Sequence, residues 1–255
     1  MEESVEKPLA YYDNNLSSLI NLLAVAEDQK RRIPFIFSSS CTVYGEPNQL
    51  PITENAPSKT ALSPYGNTKQ ICEEILADLT KVNSNIPVIA LRYFNPIGAH
   101  TLAEIGELPL GIPQNLVPFI TQSAAGILGP ITIYGNDYPT RDGTCIRDYI
   151  HVMDLADAHV VALKHLKSLS DPTFFDVFNV GTGKGTSVLE IIQAFERVNN
   201  VSLSYSIGER RQGDVVEAYA DTDKINKTIG WQASKTLDDS LISAWNWEKK
   251  LRGIS

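Results

Sequence analysis

Cysteine is scarce in this chain and poorly placed to build structure. Cys41, Cys72 and Cys145 are odd in number and show no C-x-x-C spacing. A disulfide framework and a zinc site are therefore not expected, no metal ligand set is assigned, and a reducing compartment fits. Long apolar runs are missing too: none approaches the ~20 residues that a membrane-spanning helix needs. Positive charge is short, with Lys+Arg 22 against Asp+Glu 30 and a net charge of −8. That argues against a general nucleic-acid or acidic-lipid surface, while leaving room for a local basic pocket. The start, Met1 to Pro8, is acidic and polar and reads as neither a signal nor a transit peptide, so a cytoplasmic protein is expected. No internal repeat and no low-complexity segment interrupts the 255 residues. The 43% hydrophobic and 20% charged composition is that of a soluble globular chain with one large domain or two modest ones.

Apolar periodicity orders the rest. Pro8 to Asp28 reads as a helix, with Leu16, Leu19, Ile20, Leu23 and Ala26 at 3–4 spacing. Asp13, Asn14 and Asn15 near its start suit capping, or facing a ligand. Ile33 to Phe37 is a short continuous apolar run, the pattern of a buried parallel strand. A Pro-rich loop over 46–60 leads to Pro64, which opens a helix to about Val82. Val88 to Phe94 is the next strand. Strand, helix and strand at this spacing predict βαβ units and a parallel sheet, with ligands at the strand C-termini. Ser40 and Asn95 are expected on one rim. After Gly98 the character changes: a loop over 99–114 precedes a helix at 115–125, strands at 131–134, 146–152 and 174–180, and helices at 153–165, 187–198, 223–229 and 236–251. The division predicted is 1–97 and 98–255.

Chemistry concentrates between Phe35 and Lys69. The strand delivers Ser38, Ser39, Ser40 and Thr42 to its end, and Tyr65 and Lys69 lie four apart on one helical face. A phenol is a poor base at neutral pH, with an ordinary pKa near 10. A neighbouring ammonium favours phenolate, as would an oxidised nicotinamide. Ser40 is suited to hold a substrate oxygen while Tyr65 moves its proton. Y-x-x-x-K alone also arises by chance in ordinary amphipathic helices; the hydroxyl cluster upstream makes the pairing informative.

Gly181-Thr182-Gly183-Lys184-Gly185-Thr186 sits where a phosphate loop would, between strand and helix. It matches neither G-x-x-x-x-G-K-[ST] nor G-x-G-x-x-G. The simpler reading is a turn into a helix capped by Ser187 and Glu190. No dinucleotide fingerprint occurs elsewhere.

Several ordered blocks resemble one family. They are Lys7-Pro-Leu-Ala-Tyr-Tyr-Asp-Asn-Asn15, Phe35-Ile-Phe-Ser-Ser-Ser-Cys-Thr-Val-Tyr-Gly45, Leu91-Arg-Tyr-Phe-Asn-Pro-Ile-Gly-Ala-His100, Gly111-Ile-Pro-Gln-Asn-Leu116, Tyr134-Gly-Asn-Asp-Tyr-Pro-Thr140, the run from Asp142 to Ala156, and Arg210-Arg-Gln-Gly-Asp214. Together they are similar to the UDP-glucose 4-epimerases, extended members of the short-chain dehydrogenase/reductase group. The resemblance implies an α/β fold: a partial Rossmann-type parallel sheet with a smaller mixed α/β substrate domain. It implies NAD as cofactor, a UDP-hexose as substrate and a homodimer. Tyr65 would be the base at the sugar C4 hydroxyl, with Lys69 tuning it and holding the nicotinamide ribose, and Ser40 on the reacting oxygen. Cys41 stands where Ala is commoner. Asn14, Tyr93 and Phe94 match positions near the cofactor, although the two aromatics also suit strand core. Asn95, Asn115, Leu116, Tyr134, Arg147, Arg211, Asp214 and Ala218 match positions lining the UDP-sugar site. A small residue at Ala218 is associated with accepting N-acetylated hexoses.

The sequence departs from the family at its front. The strand, glycine-rich turn and helix that cradle the cofactor's pyrophosphate are absent, on the order of 80 residues at about 30 per βαβ unit. Apolar surface is then expected on the Ile33–Phe37 strand and the helix before it. The resemblance thus leaves two readings: an NAD-dependent interconversion of UDP-glucose and UDP-galactose through a 4-keto sugar, in galactose metabolism, or a truncated, non-catalytic UDP-sugar binder. A dehydratase would want an acidic residue at Cys41 or Thr42.

Overall fold

The computed structural model describes residues 2–57, 60–82, 85–211 and 213–254. In chain order its helices are α1 (Glu2–Glu6), α2 (Pro8–Tyr12), α3 (Ser18–Asp28), α4 (Pro64–Lys81), α5 (Leu116–Ala124), α6 (Val152–Ser168), α7 (Val188–Asn199), α8 (Asp223–Ile229) and α9 (Leu237–Arg252). The strands are β1 (Phe35–Ser40), β2 (Val88–Tyr93), β3 (Asn95–Ile97), β4 (Ile131–Tyr134), β5 (Ile146–His151), β6 (Phe175–Val180), β7 (Gly185–Ser187), β8 (Tyr205–Gly208) and β9 (Glu217–Ala218).

The chain forms two compact units. The first takes Met1–Phe94, Asp157–Val180 and Ala220–Trp231; the second takes Asn95–Ala156, Gly181–Tyr219 and Gln232–Ser255. The predicted division after residue 97 lies close to the first crossing, but the predicted contiguous second domain does not form. The segment carrying β6 returns to pair with β2, and Ile52 bridges Ala220. Strand pairing over long sequence separations decides this, and local pattern does not record it.

In the first unit the sheet order is β1-β2-β6, all parallel. Strand β2 is buried along nearly its whole length, as continuous apolar parallel strands are. Leu19 and Leu23 of α3, Cys72 and Leu76 of α4, and Phe37, Val88 and Ala90 of the sheet share one core. Helix α3 also carries Ile20, Leu22 and Val25 exposed at 50%, 61% and 61%, the apolar surface expected there. In the second unit β5 is central, flanked by β3, β7 and β9, while β4 pairs with β8. Its core joins Ile131 and Ile133, Val117 and Ile120, Ile191 and Phe195, and Leu241 and Trp245.

Two expectations change at the start of the chain. Asp13, Asn14 and Asn15 do not cap a helix: they lie in a π-helical turn, Asp13–Ser17, that joins α2 to α3. The extra residue in that turn lets Asn15 reach Thr68 of α4 through its Nδ2, at 2.9 Å. Strand β1 begins at Phe35, beyond Pro34, and runs on to Ser40.

Candidate active site

The hydroxyl cluster ends β1. Ser40, extended and buried, caps a 3₁₀ turn over Cys41–Tyr44: its Oγ accepts from Thr42 N at 3.2 Å and Thr42 Oγ1 at 3.0 Å. Helix α4 starts as its sequence dictates, with Ser63 accepting from Gly66 N at 3.1 Å and Pro64 in the first turn. Gly66 allows that start to approach the 3₁₀ turn, because a Cβ there would stand 3.2 Å from the Thr42 carbonyl oxygen. Tyr65 is thereby set against Ser40.

Burial pushes the Tyr65 phenol above its ordinary range, and a hydrogen bond with Ser40 works in the opposite direction. The expected Lys69 effect is not among the influences on this tyrosine. Lys69 Nζ lies 5.6 Å from the Tyr65 ring centroid and donates to the Ser38 carbonyl at 2.9 Å. Its own proton affinity is lowered by burial. One of three N–H donors is used on Ser38, which leaves two for a diol. Tyr93, at the end of β2, donates to Ser38 Oγ at 2.7 Å and meets His159 Nε2. Burial pushes its phenol to about 12, with the Ser38 bond opposing. Lys69 and Tyr93 thus meet at Ser38, and Tyr65 lies between Lys69 and Ser40.

The other cofactor-side candidates divide. Phe94 is buried at 4% exposure, as a strand-core residue is. Asn14 donates to Asn15 Oδ1 at 3.0 Å, and Asn15 makes the tie to α4. Tyr11, which the sequence did not single out, sets its ring edge-on to Tyr65 at 6.4 Å between centroids; nothing in the local pattern marks it. This cluster fits the nicotinamide-ribose end of a dinucleotide: a phenol, an ammonium with spare donors and a strand-end hydroxyl. Among the described residues no glycine turn is placed for the pyrophosphate, and the 181–186 loop does not serve. Thr182 N and Oγ1 donate to Asp148 Oδ1 at 2.8 and 2.6 Å, and Gly183 N donates to Asp148 Oδ2 at 3.0 Å. The N–H groups an anion would use are spent on a carboxylate. Ser187 and Glu190 form the predicted capping box.

In the second unit Asn95, Arg147 and Ala218 lie on or beside β5, whereas Asn115 and Leu116 lie at the start of α5. Register places Asn95 opposite Tyr149 and Arg147 opposite Ala218. Asn95 opens β3 and so does not share a sheet with Ser40, contrary to expectation, because the chain leaves the first sheet at Tyr93. Arg211 donates to both oxygens of Asp214, at 3.3 and 3.1 Å, and lies over the Tyr134 ring at 5.4 Å. Arg147 Nη2 stands 3.8 Å from Asp214 Oδ1, and its Nη1 donates to the Ile146 carbonyl at 2.8 Å. Two forked donors therefore converge on one carboxylate, an arrangement that also suits a diphosphate. Asn115 precedes α5, whose first residue is Leu116, without capping it. Its Nδ2 donates to Glu107 Oε1 at 2.8 Å, a partner that no spacing rule revealed.

Known proteins resemble this chain in sequence and in fold. The sequence pattern of the family described as GDP-mannose 4,6 dehydratase matches residues 1–243. A UDP-glucose 4-epimerase of Drosophila melanogaster is 45% identical over 97% of this chain and 70% of its own length. The UDP-glucose 4-epimerase of Erwinia amylovora is 44% identical, over 97% and 72%. Among solved structures, the Stenotrophomonas maltophila UDP-glucose 4-epimerase with bound NAD and formylated UDP-arabinopyranose superposes with a TM-score of 0.94. It is 44% identical, with 100% of this chain and 74% of that one covered. The Bifidobacterium longum enzyme in complex with NAD+ and UDP gives 0.92 at 45% identity, over 99% and 74%.

Proposed function

The chain belongs to the UDP-glucose 4-epimerase family of extended short-chain dehydrogenases/reductases, and from that premise we propose that it interconverts UDP-glucose and UDP-galactose at sugar C4. The observation that carries this reading is the cluster of Ser40, Tyr65 and Lys69 at the end of β1. NAD, when bound, supplies the hydride acceptor and donor. Lys69 holds the nicotinamide ribose with the two N–H donors not committed to Ser38, beside Tyr93. Ser40 holds the C4 oxygen and Tyr65 takes its proton, then returns it to the keto oxygen after the sugar presents its other face. Arg147 and Arg211 hold the diphosphate through that turn, with Asn95, Asn115, Leu116, Tyr134 and Asp214 around the nucleotide.

Three finer points belong to the same reading. Ala218, opposite Arg147 in β9, leaves room for N-acetylated hexoses. The setting is cytosolic galactose metabolism, which three cysteines outside any disulfide favour. The assembly is a homodimer, for which the exposed Ile20, Leu22 and Val25 offer apolar area. Tyr65→Phe tests the core of the proposal: turnover is lost while UDP binding persists. Unchanged turnover refutes the assignment of Tyr65. The non-catalytic alternative predicts UDP binding with no turnover by the parent chain supplied with NAD.

A further inference from the structure

Directly beneath the site lies a row of buried polar groups that the chemistry above does not use. Register aligns Ser39, Arg92 and Asn179 across β1, β2 and β6, one residue before the rim row of Ser40, Tyr93 and Val180. Arg92 forks onto Glu73 of α4, with Nε to Oε1 at 2.9 Å and Nη2 to Oε2 at 2.5 Å. Ser39 Oγ donates to Glu73 Oε1 at 2.5 Å. Arg92 Nη1 donates to the Tyr44 hydroxyl at 2.9 Å, and that hydroxyl donates to Asn179 Oδ1 at 2.6 Å. All five residues are at most 8% exposed.

We propose that this network is a positioning device: Glu73 and Arg92, with Ser39, Tyr44 and Asn179, set Tyr65 at its working distance from Ser40. Four of the five members are covalently next to, or on the same helical face as, a group of the site, and Asn179 joins them through Tyr44. Ser39 precedes Ser40, and Arg92 precedes Tyr93. Tyr44 closes the turn that Ser40 caps. Glu73 lies one turn beyond Lys69 and two beyond Tyr65. An apolar contact would let α4 slide along the sheet by small steps, whereas a bidentate guanidinium–carboxylate pair fixes distance and angle together. Stability alone does not account for it, since a buried ion pair is commonly no better than well-packed apolar residues of the same volume. Burial opposes the Arg92 charge most strongly of any single cause, and Glu73 and Tyr44 together more than offset it, raising its proton affinity. The inference rests on the assignment of Tyr65 as the base.

The test uses the full chain with Glu73→Leu/Arg92→Met, and Ser39→Ala as the milder variant that removes one hydroxyl. Thermal midpoints report folding. The ultraviolet phenolate signal of Tyr65, isolated by subtracting the matching Tyr65→Phe protein, reports its titration without cofactor. Steady-state assays with NAD and UDP-galactose report kcat and KM separately. The double variant is expected to fold with a midpoint at or above the parent's. Its Tyr65 should titrate about one pH unit higher, as the Ser40 hydrogen bond is lost. Its kcat should fall on the order of tenfold to a hundredfold with KM unchanged. Ser39→Ala moves the same way by less. Parent-like Tyr65 titration in either folded variant overturns the proposal, as does a kcat loss that merely tracks the folded fraction. An inactive parent whose variants still shift Tyr65 refutes the epimerase reading and leaves the positioning role standing.

Discussion

Lys69 sits between two demands. Burial weakens its hold on a proton, yet the Ser38 carbonyl engages it, so its charge serves best when a diol shares it. Lys69→Met should weaken NAD binding by more than about tenfold, the loss of one or two charge-assisted hydrogen bonds. UDP binding should be unaffected, and isothermal titration with each ligand separates the two. Ala218 makes the specificity claim local. Ala218→Tyr fills space opposite Arg147 and should remove activity on UDP-N-acetylglucosamine while sparing UDP-galactose; equal loss of both sinks the idea. At this scale the sequence is a good guide to residues that act through type and spacing, such as Tyr65 and Lys69. It fails for those that act through a partner. Asn14 and Asn15 are indistinguishable in sequence, and only the π-helical turn decides that Asn15 meets Thr68. Arg92 stands in a recognisable block, but nothing local tells that Glu73 is its mate.

Elements read well where pattern and packing agree. Strands β1 and β2 are legible as continuous apolar runs, and α4 as a Pro-opened helix. The short strands β3, β7, β8 and β9 are not, because two to four residues carry no period. Strands β3, β7 and β9 exist through their pairing with the longer β5, and β8 through its pairing with β4. Helix α7 is legible through its cap: Ser187→Ala should cost about 1 kcal/mol, read as a lower urea midpoint with turnover per folded molecule unchanged. The junction of β5 with α6 and α9 gives a pH prediction. His151 Nδ1 accepts from Met153 N at 3.0 Å, and Ser243 Oγ donates to the Ser240 carbonyl at 2.9 Å. Nε2, 3.2 Å from Ser243 Oγ, therefore carries the hydrogen of a neutral ring. Burial holds this histidine below its ordinary 6.5; Asp154 and Asp239 pull upward and Lys235 downward. The unfolded chain binds the extra proton, so this stability is complete above about pH 6.5 and is lost as pH falls below it. Thermal midpoints between about pH 7 and pH 5.5 should drop in the parent and drop less in His151→Asn.

The whole molecule interleaves two units along one chain, and that is the least legible property of all. A division after residue 97 follows from the change of character at Gly98. The return of residues 157–180 and 220–231 to the first unit depends on β6 choosing β2, a long-range pairing. The chain spans about 70% of the length of the relatives it matches. No described helix is long and apolar enough to cross a membrane.

The most direct measurement is chromatographic: the purified chain, supplied with NAD and UDP-galactose, is sampled for UDP-glucose alongside its Tyr65→Phe variant. The account predicts approach to an equilibrium mixture with the parent and none with the variant. A parent that binds UDP yet forms no UDP-glucose, or a variant that forms it at the parent's rate, would contradict the assignment of Ser40, Tyr65 and Lys69 as an epimerase centre.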